Sequence, residues 1–289
     1  MHPRRALDPY WMLVPTALLL LVFFFYPLIF AFYRSFFAWD LLTPPRYVGF
    51  DNYRALFSSG EVGRAFMSTL GFSVVVVTGS MSIGLGLALA LNRPGTFTSF
   101  VRAAVFSAYV VSWVSVALLW LWLLDRQAGA FTHLTHALGL PAVDWLGNPG
   151  VAPYALAGVT IWKIAGYAMV LFLAGLQDVP RSLYEAAALD GAGALKRFVN
   201  VTWPLIRPTT AFVATTSLIL SFQVFDVVRV MTQGGPVHST TFFVYAIYEQ
   251  IFMNLRVGRA SAEVVLFFFL LLALTGLELW AWRRKGGGP

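Results

Sequence analysis

Six long apolar runs leave this chain few ways to fold. They lie near residues 11–33, 66–91, 103–124, 153–176, 209–230 and 262–282. About 20 helical residues cross a hydrocarbon core of roughly 30 Å, so each run is long enough to span a bilayer. In lipid a backbone stays paired only as a helix or a closed barrel, and the short alternating segments of barrel strands are absent. The runs therefore predict an all-α transmembrane fold with six membrane helices. Composition agrees, with 58% of residues apolar and only 11% charged, where soluble domains are about one-quarter charged. No internal repeat or second soluble domain is visible, so residues 1–289 read as a single transmembrane domain.

The first run follows Arg4 and Arg5 but exceeds the roughly 7–15 apolar residues of a signal peptide, and no small-residue cleavage site follows. It reads as a retained anchor. The chain has no cysteine, which excludes disulfides, thiolate chemistry and cysteine metal sites.

Charge orients the spans. With both termini cytoplasmic, the inner segments hold eleven Lys and Arg against four acids, while the outer segments hold eight of each. This is the sign of the positive-inside rule, with Arg283, Arg284 and Lys285 stopping the last helix. No basic stripe is interleaved with stacking aromatics, so the basic balance reports topology rather than nucleic acid. Outside, the loops cover 34–65, 125–149 and 231–261. The last contains TTFFVYAIYEQIFM, apolar but too short to span, which fits a helix lying at the interface or dipping into the outer vestibule.

The inner segment 177–207 is long and polar between two spans. Within it, residues 182–190 read as a helix, with Ser182 as N-cap and Glu185 completing a capping box. Ala186, Ala187 and Ala188 favour the helix, and Gly191 and Gly193 end it. Taken alone, these residues need no role beyond turning the chain.

Longer motifs add to this. Glu185-Ala186-Ala187, three residues, Gly191, nine residues and then Val201-Thr202-Trp203-Pro204 resemble the EAA loop of binding-protein-dependent ABC importer permeases. Val201 and Trp203 stand where that motif has Ile and Leu. FQVFDVVRVMTQGGPVHST at 222–240 resembles the fifth-helix signature of the carbohydrate-uptake branch, and YVGFDNYRALF at 47–57, IWKIAGYAMVLFLAGLQDVP at 161–180 and GRASA at 258–262 are further echoes in order. Arg259 replaces a usual aromatic there.

The resemblance implies a six-helix type I importer permease whose 177–207 loop carries a coupling helix seated on an ATPase. Glu185, Ala186, Ala187, Asp190, Gly191 and Pro204 would be its coupling residues. The implied partners are a homologous second permease, two ATPase subunits, an extracytoplasmic solute-binding protein and membrane lipid. ATP and magnesium would be used by the ATPases, with no cofactor on this chain, and the location would be a bacterial inner membrane. The cargo would be a sugar or oligosaccharide, or alternatively glycerol-3-phosphate or another polyol phosphate.

Polar groups at bilayer depth face a pathway or a partner. Gln223 and Asp226 share a helix face and would line a sugar cavity or hold the helix to its neighbour, with Arg229 in reach of Asp226. Lys163 is too deep to snorkel and should meet a carboxylate, a carbonyl or the pathway. Trp162 and Tyr167 would stack on a sugar ring or pack. Thr78, Gly79, Ser80, Ser82, Gly84 and Gly86 read as a close-packing face.

Two rival classes remain. A membrane enzyme would have to use His133 and His136 with Asp125 and Asp144, which form no ordered acid–base set or metal signature. A purely structural subunit would not need Gln223, Asp226 and Lys163 in its spans. No phosphate-binding G-x-x-x-x-G-K-[ST] occurs, so nucleotide chemistry would belong to another chain.

Overall fold

In a computed structural model the structure describes residues 8–139, 141 and 143–285, with side chains described within 11–282. Arg4 and Arg5 lie outside the described residues, as do the side chains of Arg283, Arg284 and Lys285. The chain divides into two compact units, residues 1–63 with 246–271, and residues 64–245 with 272–289.

In the first unit, the opening span Trp11–Arg34 has none of its most apolar stretch buried, so its solvent is lipid. The chain then makes a two-stranded antiparallel ribbon, Phe37–Ala38 against Arg46–Tyr47, and a helix, Asp51–Ser59. The outer loop expected at 34–65 is thus largely ordered. Asn52 braces it, donating from Nδ2 to the carbonyls of Ser35 (2.7 Å) and Phe37 (3.0 Å).

The second unit is organised on the span Ala152–Gln177, two-thirds buried over its most apolar stretch. Its Ala168, Met169, Phe172 and Leu176 pack with Ala88 of the second span, Glu61–Leu91, and Val213 of the fifth, Arg207–Met231. Small residues set the separations. A Cβ on Gly84 would come 2.6 Å from the Ala168 Cβ, and one on Gly166 would come 2.5 Å from the Val105 carbonyl oxygen. Both are closer than real Cβ contacts, so these helices meet backbone to backbone, as small residues permit in membranes.

The expected close-packing face is narrower than the sequence suggested. Gly79, Ser80 and Gly84 pack inward, whereas Thr78, Ser82 and Gly86 face out. Helical periodicity accounts for this, because positions 80, 84 and 88 share one face and 82 and 86 lie on another.

The run 103–124 is not one straight span. It is Thr96–Val110 and Trp113–Leu123, bent by 99° at Val111-Ser112. Neither Pro nor Gly lies at the break, so its cause is tertiary. Of the two arrangements open to TTFFVYAIYEQIFM, its first half packs inward rather than lying open at the interface. Phe242 stacks on Phe72 of the second span with ring centroids 4.4 Å apart, and the Phe243 N–H donates to the buried Thr69 hydroxyl at 2.9 Å.

Candidate functional site

The inner loop begins with a helix at Arg181–Leu189, one residue earlier than expected. The capping box does not form. Pro180 occupies the N-cap with no side-chain bond, and Ser182 already lies inside the helix. The proline sets the extended entry to the first turn without help from a serine hydroxyl. The C-terminus follows the sequence closely. Gly191 has φ +72°, the Ala192 N–H donates to the Ala187 carbonyl at 2.9 Å, and the Gly191 N–H donates to the Ala188 carbonyl at 3.1 Å. This is a Schellman stop, which glycine makes without steric cost. Gly193 does not terminate this helix. It is the N-cap of a second segment, Ala194–Arg197, which continues through a π turn at Phe198–Thr202 to Trp203–Leu205.

One face of the loop is free and the other is anchored. Glu185, Ala186 and Asp190 are exposed, Ala187 is half-buried, and Leu189 and Leu195 are 91% and 77% exposed. Tyr184, Val201 and Trp203 pack against the core of the second, fourth and fifth spans, where Ile206 is fully buried. The Tyr184 and Thr202 hydroxyls are 2.9 Å apart and join the two halves of the loop. Pro204 sits half-buried in the closing turn. The apolar tail Val201–Trp203 is therefore the root of the loop.

A second assembly surrounds the break in the third span. Lys163, 1% exposed, donates from Nζ to the carbonyls of Ala108 and Tyr109, each at 3.1 Å, and to that of Val111. Its ammonium also lies 4.7 Å from the Trp113 ring centroid. A helix broken inside a membrane must have its freed carbonyls met by another group, and this lysine meets them. Of the partners the sequence allowed, the carbonyl is the one found. Sequence reasoning missed the break because the lysine and its acceptors are 52–55 residues apart.

Lys163 borders a cavity of about 640 Å³ that Tyr109, Trp113, Leu220 and Asp226 also line. A recess of about 100 Å³, lined by Trp113, Leu220, Asp226 and Gln223, adjoins it through shared walls. Gln223 is exposed, between the helix Arg207–Phe222 and the short helix Asp226–Met231. The structure thus gathers Lys163, Asp226 and Gln223 but not the two expected aromatics. Tyr167 stacks on Tyr109 at 4.8 Å, and Trp162 lines a separate apolar groove with Phe100 and Ile161. Tyr109 and Trp113, on either side of the break, line the cavity instead.

Among the described residues the histidine loop forms no converging acid–base group. His133 and His136 lie on the helix Ala130–Ala137, Asp144 pairs with Arg126 at 3.1 Å, and the Asp125 carboxylate accepts the Gln127 and Ala128 N–H groups. Those two N–H bonds hold the Asp125 carboxyl below its ordinary pKa, Ala128 contributing most. Among the described residues no cluster of His, Cys, Asp or Glu is arranged to hold a metal ion.

Comparison with known proteins matches this architecture. The chain is 33% identical over 276 residues to the sulfoquinovosyl glycerol transport system permease protein SmoG of Agrobacterium fabrum, covering 95% of this chain and 90% of that protein. It is 32% identical over 274 residues to the sn-glycerol-3-phosphate transport system permease protein UgpA of Escherichia coli O157:H7, covering 93% and 92%. Its fold aligns with TM-score 0.84 and 26% identity to a chain of a bacterial ABC transporter that imports the acidic polysaccharide alginate, covering 97% of this chain and 96% of that one. It aligns equally, with TM-score 0.84 and 26% identity over 98% of this chain and 96% of that one, to a chain of a bacterial alginate ABC transporter in complex with an alginate pentasaccharide-bound periplasmic protein. The family model of binding-protein-dependent transport system inner membrane components matches residues 82–283, and this chain belongs to that family as a transport permease rather than an enzyme.

Proposed function

We propose that this chain is one of two permeases in an ATP-driven importer, working with a homologous second permease, a pair of ATPase subunits and an extracytoplasmic binding protein. The observation that carries this reading is the open face of the helix Arg181–Leu189, which is held at Tyr184 but has no fully buried residue. Leu189 and Leu195 are almost fully exposed on a polar loop, where lipid is not the solvent and a protein surface is the natural cover. Asp190 sits at the C-cap, where the helix dipole favours a cation. A basic group on the ATPase would offset that cost. Glu185, Ala186, Ala187, Asp190, Gly191 and Pro204 act here as the coupling element, and Tyr184, Val201 and Trp203 carry its movement to the core. Both termini and this loop face the cytoplasm, on the side with the Lys and Arg excess. ATP and magnesium are used by the ATPases.

The cargo is a sugar or oligosaccharide delivered by the binding protein and released by alternating access. Trp113 offers a ring face, and Gln223 and Asp226 offer hydrogen-bonding groups to hydroxyls. A polyol phosphate is the second reading, favoured by the similarity to glycerol-3-phosphate permeases. The cavity supports the neutral sugar more, because the Lys163 ammonium is committed to three carbonyls and Asp226 adds a carboxylate. Uptake by the reconstituted importer tests both parts. Glu185→Lys should abolish substrate-stimulated ATP hydrolysis while the binding protein still captures its ligand. Gln223→Ala should lower uptake with ATPase coupling intact. Wild-type hydrolysis in the first variant would remove the loop from coupling, and wild-type uptake in the second would remove Gln223 from the pathway.

A further inference from the structure

An open cleft of about 540 Å³ lies in the first unit, lined by Trp39, Asp40, Arg46, Asn52, Arg256 and Arg259 among others. Its charge is one-sided. None of the three guanidiniums is in an ion pair among the described residues, and Arg46 and Arg256 are exposed. Asp40, the one acid in the wall, is turned to its own turn. Its Oδ1 accepts the N–H of Leu42 (3.1 Å) and both the N–H and the hydroxyl of Thr43 (2.8 Å each). Glu263 faces Arg259 from the next helical turn but does not line the cleft.

The walls are held close. A Cβ on Gly258 would come 1.9 Å from the Phe37 carbonyl oxygen, so the first turn of the helix Val257–Lys285 rests on the ribbon backbone. Asn52 donates to the same carbonyl at 3.0 Å. The first helical N–H groups at that terminus add partial positive charge.

Depth identifies the occupant. The cleft lies at the ends of two helices long and apolar enough to cross a membrane, at the last residues of Trp11–Arg34 and the first of Val257–Trp282. Arg34, the last residue of the first span, stacks on Trp39 of the cleft at 4.6 Å and on Phe30 at 5.0 Å. Below it the first span exposes Ile29, Phe32 and Tyr33, a surface that acyl chains cover. Trp and Tyr at a span end sit at the headgroup level, and an arginine there reaches the same layer, where phospholipid phosphates lie. Guanidinium forks bind phosphate oxygens in pairs.

We propose that Arg46, Arg256 and Arg259 form a binding site for the phosphate of an anionic phospholipid headgroup, with Trp39 as its floor. The site is independent of the coupling loop and of the cargo. It would fix this corner of the permease to the membrane surface while other spans move.

The test is lipid binding to the full-length chain in detergent, followed by native mass spectrometry and thermal shift. The probes are phosphatidylglycerol, phosphatidylcholine and inorganic phosphate. Phosphatidylglycerol should be retained preferentially, and each of Arg46→Gln, Arg256→Gln and Arg259→Gln should weaken it by up to about fivefold. Arg54→Gln, whose guanidinium already pairs with Asp51 at 3.2 Å, should bind like wild type. Equal retention of the two lipids, or wild-type retention by the cleft variants, overturns the site. Protection by inorganic phosphate equal to that by phosphatidylglycerol overturns the lipid as its occupant. Cleft variants with normal lipid retention but weakened affinity for the binding protein would make the cleft a protein contact and overturn the proposal. Arg46 lies on the exposed ribbon, so its variant reads out binding even if a change at Arg259 disturbs folding.

Discussion

The ammonium of Lys163 lies 3.1 Å from the carbonyl oxygen of Ala108, joining the centre of the fourth span to the last turn before the break in the third. That bond makes one buried charge serve as the cap of a membrane helix. The same ammonium also meets the carbonyls of Tyr109 and Val111 at the 99° turn, beyond which Trp113 lines the cavity.

Lys163→Met should therefore act first on structure. Several carbonyls lose their partner at once, at about 1–3 kcal/mol for each buried group left unpaired. The melting temperature of the purified chain in detergent should fall, and Lys163→Arg should recover part of it. A full-stability methionine variant would mean that other groups satisfy the break.

Gly191 separates backbone strain from packing. Nothing lies within 4 Å of a Cβ placed there, yet φ is +72°. Gly191→Val should cost about 1–2 kcal/mol in the left-handed region and uncouple ATP hydrolysis, whereas Gly191→Asn should be milder in both. Equal behaviour of the two variants in ATPase assays would remove the stop geometry as the cause.

Leu189 is the apolar contact expected to be covered on assembly. Leu189→Asp should reduce co-purification of the ATPase by about tenfold or more, as loss of a central interface residue does, with the melting temperature of the isolated permease unchanged. Normal assembly would place the ATPase contact elsewhere on the loop.

Gly84 and Gly86 differ by two residues and by everything around them. Gly84→Val drives a side chain into Ala168 and should cost about 1–3 kcal/mol. Gly86→Val meets nothing within 4 Å and should be tolerated. Thermal melting in detergent distinguishes them.

The absence of cysteine permits a direct check of orientation. Ser182→Cys, exposed on the loop helix, should react with an impermeant thiol reagent only from the cytoplasmic side. Labelling from the outside alone would reverse the topology and remove the loop from any ATPase.

The sequence by itself determined five membrane-length helices among the described residues, because burial in lipid is recorded locally as apolar length. It also determined where the loop helix stops, because a left-handed stop at Gly191 is a property of one residue and its neighbours. The start of that helix was less legible, since Ser182 and Pro180 both offer a beginning and local chemistry ranks them poorly. Only the tertiary structure decided the break at Val111-Ser112, the role of Lys163 and the exchange of Tyr167 and Trp162 for Tyr109 and Trp113. The same holds for the split between Gly84 and Gly86, and for the gathering of Arg46, Arg256 and Arg259. A hydropathy pattern reports how far a residue is from water, not which residue meets it. A lysine satisfied by carbonyls 52–55 positions away, or three arginines drawn together from opposite ends of the chain, leaves no periodic trace. Their partners are chosen by how helices pack.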